Sequence, residues 1–261
     1  MAGLEKKIKD FAFEQGAHLV GIAGVQDFEA APQGHRPADV LPEAHSVVVM
    51  GLKMLEGSFE SENLRFYSAE ARAAYDELNS LAFRTAAFIE RQGFKAIMVG
   101  AFLPLDFGKG RRGFKADISH KHAAVLAGLG KIGLNSLCVT PEYGPRVRFV
   151  SVLTTADLEP DKKLQDDLCG DCMLCVDACP IGAISQEGKV DFPRCVRKEF
   201  PYGMAAASDF MASLEGKDPE ERAIAWRSTD FFNLYQNVIA SSMIVGCYQC
   251  VKACPVGHTL R

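Results

Sequence analysis

Eight cysteines crowd between positions 169 and 254 of the 261-residue chain, and a ninth, Cys138, stands apart. The run Cys169-x2-Cys172-x2-Cys175-x3-Cys179-Pro180 has a spacing at which three thiolates bind three corners of one 4Fe-4S cubane while the fourth ligates another cluster. Tetrahedral zinc is the rival reading, but zinc sites usually arrive as two separated Cys-x2-Cys pairs. A later run, Cys247-x2-Cys250-x3-Cys254-Pro255, repeats the pattern with Ile244 where its first cysteine belongs, and Cys195 is the spare thiol that can complete it. Exchange of the last cysteine of each run gives two sets. Cys169, Cys172, Cys175 and Cys254 form one; Cys179, Cys195, Cys247 and Cys250 form the other. Cys138 then needs no metal, because it falls in an apolar stretch where a small buried hydrophobe is the better reading.

Other residues could do chemistry. Gly128-Leu129-Gly130-Lys131-Ile132-Gly133 matches the dinucleotide fingerprint by letter, but that fingerprint follows a strand and opens a helix. Here a helical stretch, His120 to Ala127, precedes it, and Arg148 stands where a ribose-binding acid belongs. A glycine turn that lets backbone approach a flat cofactor is the reading that remains for Gly128, Gly130 and Gly133. His120 and His122 point to different sides of a helix and cannot chelate one ion together. Taken singly, each is a packed or solvated histidine before it is a ligand. Tyr143, Arg146 and Arg148 are candidates for holding an anionic substrate or supplying a proton, although the two arginines alternate as an exposed strand face would.

The elements that must position these groups follow from periodicity. Leu4, Ile8, Phe11 and Ala12 recur at helical spacing, and His18 to Ala23 reads as a strand. Pro32 to Pro42 is a turn-rich loop, and Ser46 to Met50 is a buried strand. Apolar residues from Leu64 to Arg91 mark one long helix with a single buried face, ended by Gly93. A strand at Phe94 to Val99 leads to an aperiodic loop from Leu103 to Lys115. Ser119 caps a helix through Leu126, and two strands, Ser136 to Thr140 and Val147 to Thr154, flank a turn at 141–145. The acidic stretch Asp157 to Asp167 is the linker. Asp218 to Gln236 reads as one helix with Trp226 on its buried side.

Composition bounds the rest. With 48% hydrophobic and 24% charged residues the chain is an ordinary globular protein, and its formal net charge is -4. No apolar run approaches the roughly 18 residues of a membrane span, and Met1 to Asp10 lacks a signal core or twin arginine. Clustered cysteines without an export signal imply metal or redox chemistry in the reducing cytoplasm. The basic group Lys109-Gly110-Arg111-Arg112 is too short for a nucleic-acid surface and better suits a small anion.

With these residues in view, the stretches Ala127 to Asn135 and Thr140 to Arg148, followed by the eight cysteines, resemble the shared core of epoxyqueuosine reductases and reductive dehalogenases. The resemblance is specific from about His120 to Pro255. It implies an α+β fold, with a nitroreductase-like α/β core over residues 1–160 that binds cobalamin. A ferredoxin-like module with two 4Fe-4S clusters follows over 161–261 and delivers electrons to cobalt. In that setting Gly128, Gly130, Gly133, His120 and Arg146 are the cofactor-binding candidates and Tyr143 a catalytic one. Epoxyqueuosine reductases carry a catalytic aspartate ahead of the Ala-Gly-Leu-Gly stretch; the ungapped position is Phe114, and Asp117 is the nearest carboxylate.

These readings converge on a cytoplasmic iron-sulfur reductase acting on a small molecule, fed by an external donor such as ferredoxin or flavodoxin. A membrane is not expected. Nor is tRNA, because the helical-repeat tail with which epoxyqueuosine reductases help grip it has no counterpart in a sequence ending at Arg261. Two alternatives stand beside this one: a ferredoxin-type electron carrier without a cofactor in its core, and an iron-sulfur reductase using flavin mononucleotide in the same core.

Overall fold

The computed structural model describes residues 3–102, 116–238 and 244–258. The loop from Leu103 to Lys115, with its basic group and Phe114, lies outside the described residues. In chain order the helices and strands are α1 (Leu4–Glu14), β1 (Leu19–Gly24), α2 (Pro37–Val40), β2 (Ser46–Lys53), α3 (Glu56–Glu60), α4 (Leu64–Arg91), β3 (Ala96–Val99), α5 (His120–Leu126), β4 (Lys131–Ile132), β5 (Cys138–Val139) and β6 (Val147–Thr154). The cysteine-rich part adds α6 (Leu174–Asp177), α7 (Phe192–Glu199), α8 (Met204–Ala212), α9 (Pro219–Ala225), α10 (Thr229–Val238) and α11 (Gln249–Lys252).

Val and other apolar residues fill β2 and β6 without alternation because both faces of their sheet are covered. The sheet runs β1-β2-β6-β3 with every pair antiparallel. Val48 opposes Ile22 on one side and Val152 on the other. Val48, Met50, Val150 and Val152 turn to one face, where Ile8 of α1 and Leu78, Leu81 and Ile89 of α4 cover them. Val47, Val49, Phe149 and Leu153 turn to the opposite face and meet Ile118, Ala123, Ala124 and Ala127 in and around α5. Burying an aliphatic side chain in such layers contributes about 1.5–3 kcal/mol, which makes these two layers the main support of the fold.

Helix α4 occupies the span that its periodicity predicts. Asn63 caps it by accepting from the Arg65 N–H at 3.1 Å, and Gly93, at φ +93°, carries the chain out of it. The strand expected over Ser136 to Thr140 shrinks to β5, since Ser136 sits at φ +60° and breaks the extended run. One helix expected from Asp218 to Gln236 is two. α9 stops at Ala225, and the Ser228 hydroxyl accepts from the Phe231 N–H at 3.2 Å to start α10. Trp226 therefore lies at a break and is 41% exposed, packing edge-on to Phe210 and Phe231 instead of entering a core.

The linker is tied down. The Asp161 carboxylate accepts from the Ile22 N–H of β1 at 2.8 Å and pairs with Lys9 of α1, while Lys163 pairs with Asp27. Further along, Tyr248, Val251 and Val245 pack on Phe59, Tyr67 and Ala71, joining the second cysteine run to α3 and α4.

Candidate metal centre

Each cysteine run folds as a loop that ends in one turn of helix. In the first, Asp167 accepts from the N–H groups of Cys169 and Gly170, both at 3.1 Å, and these bonds hold its carboxyl below the usual range. Cys175 then rides on α6 and Cys179 follows it. In the second, Cys250 rides on α11 and Cys254 follows. α6 and α11 pack against each other, so the two runs lie face to face.

That apposition mixes the thiols of the two runs. One partly open cavity is lined by Cys169, Cys172, Cys175 and Cys254 together with Leu134, Val139 and Leu168. Electrostatics divides the cysteines in the same way. Burial and then repulsion from Cys169, Cys254 and Cys172 push the Cys175 thiol up, and Cys254 feels Cys169 and Cys172. Burial with repulsion from Glu199, Cys247 and Cys179 takes Cys195 to about 11. Cys250 rises to about 12 through burial and the charges of Cys247, Cys195, Glu199 and Cys175. Cys250 and Cys175 are the point where the two sets touch electrostatically.

The donor set fits a cluster. Four thiolates bound to one zinc at about 2.3 Å would stand within roughly 3.8 Å of one another. Among the described residues no group of three or more His, Cys, Asp or Glu side chains is placed to hold a metal ion as they stand, which favours neither zinc nor a cluster. Four cysteine thiols around one apolar cavity are the donor type that an iron-sulfur cluster uses. Cys138 belongs to neither set: it is buried among core residues with its thiol pushed up to about 12 by desolvation.

The remaining candidate residues are engaged within the protein. The His120 imidazole meets Ser151 Oγ and the Gly100 carbonyl, each at 2.9 Å, and burial lowers its pKa. Donation from Nε2 to Gly100 fixes the neutral tautomer and leaves Nδ1 to accept from Ser151. His122 faces Ser119 Oγ at 2.7 Å. A Cβ on Gly130 would collide with the Val139 carbonyl oxygen and lie 2.9 Å from Cys138 Sγ. At Gly128 it would meet the Lys162 carbonyl, and at Gly133 the Val139 side chain at 2.7 Å. The close approach these glycines permit is to the chain itself.

Arg146 and Arg148 do not form the exposed strand face expected of their alternation. Arg146 is 1% exposed and donates to the carbonyls of Val251, Cys254 and Val256. Arg148 turns to the Tyr67 hydroxyl at 2.6 Å and lies over the Tyr75 ring. Tyr143 is half-buried, edge-on to His18 with the Lys53 ammonium 5.6 Å from its ring centre, and Asp117 is exposed ahead of α5.

Residues 163–185 match the family model described as a 4Fe-4S binding domain. An epoxyqueuosine reductase of Bacillus cereus is 30% identical over 139 residues, covering 53% of this chain and 30% of that protein. A tetrachloroethene reductive dehalogenase of Desulfitobacterium hafniense is 31% identical over 189 residues, 70% of this chain and 31% of that one. The chain is a homologue of both groups. It spans less than a third of the length of these relatives. Among solved structures, an epoxyqueuosine reductase bound to an epoxyqueuosine-modified tRNA stem loop superposes with TM-score 0.62 at 20% identity, over 98% of this chain and 66% of that one. A reductive dehalogenase whose structure suggests a mechanism for B12-dependent dehalogenation gives TM-score 0.58 at 21% identity, over 87% and 36%. The mixed α/β fold is thus common to all three, and no described helix is long and apolar enough to cross a membrane.

Proposed function

We propose that this protein is an iron-sulfur reductase in which Cys169, Cys172, Cys175 and Cys254 hold one 4Fe-4S cubane and Cys179, Cys195, Cys247 and Cys250 hold a second. The observation that carries the reading is the single cavity shared by four thiols drawn from both cysteine runs. Bound cubanes supply one-electron transfer at potentials set by hydrogen bonding and burial. The chain's own part is to fix the thiols. Asp167 ties the first loop, and Arg146 fastens the second run to β6. We read residues 161–261 as the cluster module, residues 1–160 as the nitroreductase-like core it serves, and the cytoplasm as the compartment that keeps such thiols reduced.

Cobalamin as the core's cofactor is supported by the relatives. The five residues nominated to touch it are committed elsewhere in the protein, so no step is assigned through it. Those same contacts favour a second reading, a ferredoxin-type electron carrier whose core holds no cofactor. The reducible small substrate belongs to the first reading alone.

Protein made anaerobically with cobalamin available, assayed for iron, sulfide, cobalt, zinc and flavin, tests these readings. About eight iron and eight sulfide per chain are expected. Four iron with stoichiometric zinc would overturn the cluster assignment. Retained cobalt supports the corrinoid reductase, flavin the flavoenzyme, and clusters alone the carrier.

A further inference from the structure

Helix α7 has two faces of opposite character. Cys195, Val196 and Glu199 are half-buried, whereas Arg194, Arg197 and Lys198 are exposed at the i, i+3, i+4 spacing of one helix face. The inner face lies over the second thiol set: it carries Cys195, and the Glu199 carbonyl accepts from the N–H of Gly246, next to Cys247, at 2.6 Å. The outer face forms an open groove with Ile181, Pro193 and Asp191. Ile181 follows Cys179 by two residues in the sequence, and Arg194 stands next to Cys195.

Three cations and one carboxylate line this groove, in a chain whose net charge is -4. Asp191 is occupied in capping the helix, accepting from the Arg194 N–H at 3.1 Å. Among the described residues none of the three cations makes an ion pair, although seven other lysine or arginine side chains do. An exposed basic helix face is often only solvated. Here it is the reverse of the chain's overall sign, has apolar Ile181 and Pro193 in its floor, and sits over a cluster-ligating helix.

We propose that this groove is the docking site of an acidic electron-donor protein. The inference rests on the two-cluster reading and adds the route by which electrons enter. An acidic partner is repelled by most of an anionic chain and attracted here, which steers it to one orientation. The α7 diameter, about 10–12 Å with side chains, then sets the thickness of protein between the donor and the Cys195 side of the helix. Each encounter oxidises the donor by one electron and reduces the adjacent cluster by one, with no bond made or broken. An RNA phosphate backbone is the lesser fit, since three cations release only about three counterions.

The test uses the full chain loaded with its clusters and an acidic plant-type [2Fe-2S] ferredoxin as the probe. Arg194→Glu, Arg197→Glu and Lys198→Glu are made singly and together, with the corresponding Gln series and the Arg194→Lys, Arg197→Lys double variant, the Lys version, as controls of fold and charge. None of the three residues is a ligand. Stopped-flow reduction of the clusters by reduced ferredoxin should slow about 3- to 10-fold for each reversal and on the order of 100-fold for all three. The wild-type rate should fall with added salt, and the Lys version should retain it. Binding of redox-inert, gallium-substituted ferredoxin should weaken at least tenfold in parallel, whereas iron content and the extent of reduction by excess dithionite stay unchanged. A triple variant that is reduced and binds at wild-type level overturns the proposal. So does loss of affinity for a tRNA stem loop with ferredoxin kinetics intact, which makes the groove an RNA contact. Wild-type protein without eight iron instead sinks the two-cluster reading itself.

Discussion

Arg146, the residue immediately before strand β6 of the core, donates to the carbonyl of Cys254 at 2.9 Å, across 108 residues of sequence. The same guanidinium reaches the carbonyls of Val251 and Val256. It is therefore a peg between the sheet and the second cysteine run, whose proposed ligands are Cys247 and Cys250 for one thiol set and Cys254 for the other.

Removing that peg leaves three carbonyls short of a buried donor. With unsatisfied buried groups costing about 1–3 kcal/mol each and partial relaxation, Arg146→Met should lose roughly 3 kcal/mol of stability. The damage should centre on the second run. Iron release to a chelator should quicken several-fold, measured alongside chemical denaturation; an unchanged release rate would mean that the loop holds its shape without the arginine.

The glycine turn yields a different expectation from the one a flat cofactor suggests. A Cβ on Gly130 meets the Val139 carbonyl and Cys138, so Gly130→Val forces β4 and β5 apart, a strain of about 1–3 kcal/mol or more. The melting temperature should drop in protein prepared with or without cobalamin. A variant of wild-type stability that has lost only cofactor affinity would restore the cofactor-contact reading.

Local patterns were legible where local physics decides them. Helix α4 follows from 28 residues of one-faced periodicity, and the strand signal of β2 and β6 from their β-branched runs. The 4Fe-4S character of the first cysteine run was also readable, because cluster chemistry dictates spacing; the division of eight thiols between two clusters is the proposal that the two cysteine variants test. The burial of Arg148 runs against its alternation for a physical reason: strand alternation reports sidedness only when one face is wet, and both faces of this sheet are covered, while Arg146 precedes the strand. The engagement of Arg146 depends on a loop far along the chain, which no window of sequence contains. The break after Trp226 did have a signal, the Ser228-Thr229-Asp230 start of α10, outweighed by the continuous apolar pattern around it.

His120 supplies a pH dependence. Burial holds its pKa below the ordinary 6.5, against the pull of the Gly100 carbonyl. The unfolded chain takes up a proton below about pH 6.5 and the folded one does not. Stability is therefore lost as acidity increases, by up to about 1.4 kcal/mol per pH unit below that point. Denaturation series at pH 7.5, 6.5 and 5.5 on wild type and His120→Gln should show the gap between them narrowing toward acid. A gap independent of pH would mean that the folded histidine titrates normally.

The contrast between two lone cysteines tests the ligand map most directly. Cys195 lies on α7 with its thiol raised to about 11 by burial and by Glu199, Cys247 and Cys179, whereas Cys138 sits in the core layer with burial as its only cause. Cys195→Ser should remove or distort one cubane, taking iron from about eight toward about four per chain, while Cys138→Ser keeps all of it. Both changes delete one sulfur, so general thiol loss cannot produce the difference. Low-temperature EPR of the reduced proteins then assigns the loss. In the Cys195 variant the signal of the Cys179, Cys247 and Cys250 site should disappear and the other persist. Two native signals in that variant, or one missing in the Cys138 variant, would break the proposed exchange of ligands between the runs.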